Sequence, residues 1–220
     1  MSTFGIIGPV MIGPSSSHTA GAVRIGLVAR ALLGERPVSA AVGLHGSFQK
    51  TFRGHGTDKA IVGGLLGYAP DDPRIRDSLR LAEEQGLRYA FEPVDIANAH
   101  PNTVRLALRG ESGRTVSVLA RSVGAGNILV EKIDEIEVSF TGQYHTLVVM
   151  HPDVPGKVAA VTSLLSEEGI NIAQMRVYRS SRRGKAVTVI ESDQPGTEAL
   201  VRRIRSLPDI LSVTLVPALQ

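Results

Sequence analysis

Three short stretches of the chain hold side chains able to do chemistry. The first is Gly-Pro-Ser-Ser-Ser-His-Thr at 13–19, directly ahead of an apolar helical pattern. Backbone N–H groups at a helix start lack intrahelical partners, and together with the helix dipole they favour negative charge. One hydroxyl among Ser15, Ser16 and Ser17 is enough for an N-cap. The remaining hydroxyls, Thr19 and the titratable His18 suit a pocket for a carboxylate or phosphate; a serine-rich turn with a single cap is the plainer reading. The second stretch is Gly54-His55-Gly56-Thr57. Glycines on both sides of His55 let the backbone approach a ligand or take a positive φ; a tight turn with an exposed histidine is the alternative. The third is His100-Pro101-Asn102, where proline forces His100 into an extended backbone.

Ordinary secondary structure must hold these residues in place. A strand or loop over 1–12 leads into the serine motif. Val23, Ile25, Leu27, Val28, Ala31 and Leu32 predict a helix from about Ser17 to Leu33, with Gly34 as its stop. Val38, Ala40, Val42 and Leu44 predict a strand ending at Gly46-Ser47, and a short helix runs from Ala60 to Leu66. Asp71-Asp72-Pro73 opens a further helix that reaches Gly86. Strands follow over 87–91, 103–108, 115–122 and 133–140, with turn residues at 110–113 and 124–126. Residues 1–141 thus read as a mixed α+β domain, helices packed on a mainly antiparallel sheet.

Composition narrows the function classes. The chain has 220 residues, 43% of them hydrophobic, which is enough for one large or two small domains. No apolar run approaches the ~20 residues of a membrane span. No basic stretch followed by an apolar run and a cleavage site opens the chain, so a cytoplasmic protein is expected. There is no cysteine, which excludes disulfides and any thiolate-held metal cluster within this chain. Net charge is only +3, and Trp is absent beside four Tyr and five Phe, so a base-stacking nucleic-acid platform has little material.

An internal repeat begins near Gly142. Asp153-Val154-Pro155-Gly156 recurs 40 residues later as Asp193-Gln194-Pro195-Gly196. The same offset matches Val149 with Val189, Val161 with Val201, Leu164 with Ile204 and Ile170 with Ile210. Each copy reads strand, loop, helix, strand, so 142–220 predicts a ferredoxin-like βαββαβ domain. The copies differ at polar positions: His151 meets Glu191 and Asn171 meets Leu211. The trio His151, Asp153 and Asn171 in one copy suits a ligand site; surface drift is the other explanation.

His-x-Asp-x-Pro-Gly at 151–156, followed by Glu-Gly-Ile-Asn-Ile at 168–172, resembles the ACT domain, a small amino-acid-sensing module. The serine-sensing ACT domain of 3-phosphoglycerate dehydrogenase is the nearest type. The resemblance implies an effector site at His151, Asp153, Gly156 and Asn171, and self-association through the ACT sheet. Asp153 departs from the serine-sensing pattern by adding a negative charge.

The three N-terminal motifs, in their order and with this tail, resemble the beta chain of two-chain iron–sulfur L-serine dehydratases. That resemblance implies a partner alpha chain whose cysteines hold a [4Fe–4S] cluster. It implies conversion of L-serine to pyruvate and ammonia without pyridoxal phosphate, and no metal ligand on this chain. Removal of the α-proton needs a base that is neutral near pH 7, which suits histidine. Within the resemblance His55 is the first candidate and His18 the second. Ser15, Ser16, Ser17 and Thr19 would hold the substrate carboxylate, with His100 and Asn102 completing the wall. A non-catalytic amino-acid sensor is the competing reading. A serine hydrolase ranks below both, because no Gly-x-Ser-x-Gly elbow is present.

Overall fold

The computed structural model describes residues 11–219. The strand or loop expected over 1–12 therefore lies, but for its last two residues, outside the described part. The chain divides into two compact units, 1–134 and 135–220.

In the first unit, residues 16–20 form one π-helical turn, closed by the Gly21 N–H on the Ser16 carbonyl, and helix α1 (Gly21–Leu33) follows. Strand β1 (Pro37–Leu44) is next, then a short helix α2 (Gly46–Thr51) and helix α3 (Thr57–Leu66). The strand expected to end at Gly46-Ser47 stops at Leu44, because Gly46 turns to φ 60° and starts α2. Only glycine fits there: a Cβ would stand 2.7 Å from the Pro101 carbonyl oxygen. The Asp72 side chain caps a 3₁₀ turn (Pro73–Asp77) by accepting the Arg74 N–H, and α4 (Ser78–Glu84) continues from it.

The remaining strands are β2 (Arg88–Pro93), β3 (Thr103–Gly110), β4 (Thr115–Gly124) and β5 (Asn127–Ile133). Within the unit they assemble in the order β2-β1-β3-β4-β5. The β1–β2 pair is parallel and the others are antiparallel. Register places Val42 beside Leu106 and Leu106 beside Val118, all buried, while Ala41, Ala107 and Ser117 take the opposite face. That period of two follows the alternation of side chains along a strand. A single strand over 133–140 is not found. Asp134, at φ 50°, breaks it, and the N-terminal part pairs as β5 from Asn127 onward.

The close pairing of α1 with α3 positions the chemistry. A Cβ on Gly64 would lie 2.1 Å from the Val23 carbonyl oxygen and 2.9 Å from Gly26 Cα. A Cβ on Gly26 would lie 2.5 Å from the Ile61 carbonyl oxygen. The two helices touch backbone to backbone, so the turns ahead of them, which carry His18 and His55, are brought side by side.

The second unit opens with β6 (Ile136–Phe140), which lies against β8 and β9. It continues as β7 (His145–Pro152), α5 (Lys157–Glu167), β8 (Ile172–Arg179), β9 (Lys185–Ser192), α6 (Glu198–Arg205) and β10 (Ser212–Val216). The four-stranded sheet is antiparallel in the order β10-β7-β9-β8, the ferredoxin-like arrangement expected of a doubled βαβ. Val149, Ile190 and Val213 from the sheet meet Val161, Leu165, Leu200 and Ile204 from the helices in one core. The sequence boundary at 141/142 falls in the turn between β6 and β7.

Candidate active site

Ser15 stands extended (φ −142°, ψ 124°) and its Oγ accepts the His18 N–H at 3.2 Å. The chain then winds into the π-helical turn, a device that often marks functional sites. It turns the His18 ring inward. His18 Nδ1 lies 3.2 Å from Ser17 Oγ and 3.4 Å from Ser15 Oγ, and Nε2 lies 3.1 Å from Ser47 Oγ. A neutral imidazole donates through one nitrogen and accepts through the other, and hydroxyls can answer either need. The ring stands edge-on to Phe48 (centroids 5.3 Å apart) and to His55 (4.7 Å). Burial first, and the neighbouring His55 second, push the His18 pKa below 6.5. Both effects favour the neutral form of His18.

His55 is held differently. Its carbonyl accepts the Thr19 hydroxyl at 3.3 Å, but its ring Nδ1 is buried with no hydrogen-bond partner. Gly56, at φ 67°, requires glycine; Gly54 does not take a positive φ. His55 borders a cavity of about 360 Å³ that also reaches Thr19, Arg53, Lys59 and Arg76.

The third motif arrives through backbone. The Pro101 carbonyl accepts the N–H groups of Ser47 (2.7 Å) and Phe48 (3.3 Å), which fixes the start of α2. Ser47 in turn bonds His18, so all three motifs meet in one cluster. His100 Nδ1 accepts the Asn102 N–H at 3.1 Å and so braces its own loop. The Asn102 carbonyl accepts the Ser122 N–H at 3.0 Å. The Ser16 carbonyl closes the π turn. Ser15, Ser17 and Thr19 direct their hydroxyls at His18 or His55. Sequence reasoning missed Ser47 and Phe48. Gly46-Ser47 reads as a strand end, and the only signal was a glycine–serine pair placed where a helix could start.

The residues of the expected effector site lie at the end of β7, in the loop before α5 and just ahead of β8. His151 is 2% exposed, its Nδ1 2.8 Å from the Pro152 carbonyl and its Nε2 2.8 Å from Thr188 Oγ1. A ring protonated on Nδ1 satisfies both contacts. Asp153 Oδ2 accepts the Arg183 N–H (3.1 Å) and pairs with Arg179 (3.3 Å), and these contacts, the Arg183 N–H foremost, hold its carboxyl below the usual range. Gly156 caps α5 at φ 88°. The Asn171 N–H donates to Gln194 Oε1 at 3.2 Å. Among the described residues no group of three or more His, Cys, Asp or Glu could hold a metal ion.

The serine dehydratase beta chain family matches residues 2–85, and the ACT domain family matches 145–209. A probable L-serine dehydratase beta chain of Bacillus subtilis is 40% identical over 98% of this chain and 97% of its own length. An L-serine dehydratase beta chain of Peptoniphilus asaccharolyticus is 39% identical over 90% of each. A D-3-phosphoglycerate dehydrogenase of Bacillus subtilis is 24% identical over 72% of this chain and 30% of its own length. Whole-length identity of that order, added to the meeting of the three motifs, settles the assignment: the chain belongs to the family of L-serine dehydratase beta chains, with an ACT domain at its C-terminal end.

Proposed function

We propose that this chain, with a cysteine-bearing alpha chain, eliminates water from L-serine, and that the resulting aminoacrylate goes on to pyruvate and ammonia. The carrying observation is the His18–His55 pair, 4.7 Å between ring centroids, with His18 hydrogen-bonded through both nitrogens and His55 Nδ1 left without a partner. Our reading makes His55 the base that takes the α-proton. A buried ring nitrogen with no internal partner costs free energy until a ligand or solvent atom answers it. His18 positions the His55 ring and stays neutral, so it does not repel a proton arriving on His55. Ser15, Ser17 and Ser47 hold His18 in turn. Asn102 and His100 form the wall behind Ser47, through the Pro101 carbonyl.

A [4Fe–4S] cluster bound on the alpha chain would supply Lewis acidity toward the departing β-hydroxyl. The sequence has no cysteine, so thiolate ligands to such a cluster would have to come from the partner. We place the ACT unit as the site of self-association: β8 is an edge strand, and Met175 and Val177 on it are exposed. A small amino acid, L-serine first, is the proposed effector at Asp153, Gly156 and Asn171. Calorimetry on the native chain and on Asp153→Asn tests the effector.

The deciding experiment is anaerobic mixing. This chain alone should be iron-free and inactive, and addition of the alpha chain should restore pyruvate formation from L-serine. Turnover by the isolated chain in the presence of a chelator would overturn the two-chain reading.

A further inference from the structure

The cavity beside His55 is strongly one-signed. Arg53, Lys59 and Arg76 border it, and among the described residues no carboxylate does. The three cations come from separate places: Arg53 from the turn after α2, Lys59 from the first turn of α3, Arg76 from the 3₁₀ turn. None forms an ion pair among the described residues, whereas nearby Arg74 is committed to Asp72 at 2.6 Å. Asp58, next to Lys59 in the chain, is buried; burial pushes its carboxyl up, its Oδ1 accepts the Lys59 backbone N–H at 2.8 Å, and the Lys59 and Arg53 charges pull in the opposite direction without forming an ion pair with it. All three are exposed, so solvent screens part of their mutual repulsion, and an anion seated among them relieves the rest. Among the serines and threonine expected to hold an anion, the Ser15 and Ser17 hydroxyls are engaged with His18 and the Thr19 hydroxyl with the His55 carbonyl.

We infer that this cavity takes the carboxylate of the substrate, with Arg53, Lys59 and Arg76 as its anchors. This deepens the reading above and rests on it. Loss of the α-proton puts a second negative charge onto the carboxylate oxygens, which become those of an enediolate. Cations at that end stabilise this charge more than the ground-state charge, so they favour transfer of the proton to His55. The arrangement selects a small acid carrying a free carboxylate and excludes amines that lack one.

The test pairs turnover with ligand binding, using the triple variant Arg53→Gln/Lys59→Gln/Arg76→Gln and, as a control, the likewise exposed Arg109→Gln, which does not border the cavity. In the complex with the alpha chain, the triple variant should raise KM for L-serine at least about tenfold. It should lower kcat/KM by about 10²–10³, the scale of losing charge-stabilising donors. Arg109→Gln should leave both unchanged, which separates a local anchor from long-range steering. In the full chain alone, malonate should shift the His55 imidazole resonance in the native protein and not in the triple variant. Unchanged KM and kcat/KM in an active triple-variant complex would overturn the anchor and leave the dehydratase reading standing. If the native complex fails to turn over L-serine, that reading falls, and the malonate titration still decides the cavity. A shift lost in the triple variant upholds the anion site; no shift, or an equal shift in both proteins, ends it.

Discussion

The two units treat their buried polar groups in opposite ways. Every buried side-chain polar atom left without a partner among the described residues belongs to Arg24, His55, Thr57, Thr103, Arg121 or Ser122, all in the first unit. In the second unit the deeply buried His151 has both ring nitrogens engaged. Unpaired buried polar groups cost about 1–3 kcal/mol each, so a fold keeps them where something outside the chain can answer them. Thr57 follows the Gly-His-Gly turn, Thr103 follows His-Pro-Asn, and Ser122 sits against Gly21. With His55 itself, these residues lie in or next to the motif stretches or against the start of α1. The difference teaches that the unpaired groups gather in the unit that carries the three motifs, whereas His151 in the second unit has both ring nitrogens engaged.

Separating α1 from α3 should break this contrast most severely. A Cβ on Gly64 would meet backbone atoms of Val23 and Gly26, and backbone cannot rotate away as a side chain can. Gly64→Ala should cost at least about 3 kcal/mol, the upper end for overpacking. It should also drive His18 from His55 and abolish turnover. Two-domain thermal melts of the full chain should show the first unit destabilised and the ACT unit unmoved. A normal melt with full activity would mean that the helices can part without moving the histidines.

His55→Ala comes next, with kcat expected to fall by about 10²–10⁴ and the melting temperature nearly unchanged, because the ring makes no internal hydrogen bond through Nδ1. His151→Ala should do the reverse. It leaves the Thr188 hydroxyl unanswered in a buried strand and costs about 1–3 kcal/mol, with kcat retained. Stability assays and initial rates on the two variants would erase the contrast if both behaved alike.

How much of this was legible in the sequence follows from where each signal lies. The ACT unit was readable because its repeat offset of 40 residues doubles every periodic cue. The strands around Val42, Leu106 and Val118 showed clean alternation. The helix starts at His18 and His55 were readable as motifs, but their side-by-side placement was not. It depends on Gly26 and Gly64, two unremarkable glycines within helical patterns, whose meaning appears only when the helices cross. Ser47 was hidden for a related reason. The turn at Gly46 is set by Pro101, more than fifty residues later, and local propensity carries no trace of that contact. The break at Asp134 rests on a positive φ at a non-glycine residue, which no turn motif announced. His151 was read as a ligand group because it is polar and unmatched in the repeat, and its partner Thr188 lies on another strand.

The smallest effect concerns protons, and it sharpens the comparison by sign. Burial and His55 lower the pKa of His18 below 6.5, so on acidification the unfolded chain takes up that proton before the folded one does. Stability then rises with pH wherever the unfolded state binds more protons. The contribution of His18 to the first unit's stability should therefore be fully present above about pH 6.5 and be lost as pH falls from there toward its folded pKa. Buried acids act oppositely. Glu191 in the second unit, 6% exposed, has its carboxyl pushed up by burial, as does Asp58 in the first. Each holds its proton in the folded state after the unfolded chain has released it, so stability falls as pH rises through that window. His18→Gln keeps an amide able to meet the serine hydroxyls and removes the titration. Melts of the native chain and His18→Gln between pH 5 and pH 7 should diverge in the first unit's transition, with the native curve the steeper, and should coincide in the second. Parallel curves in the first unit would mean that protonated His18 is accommodated among Ser15, Ser17 and Ser47 without cost, and that the cluster does not hold the ring neutral.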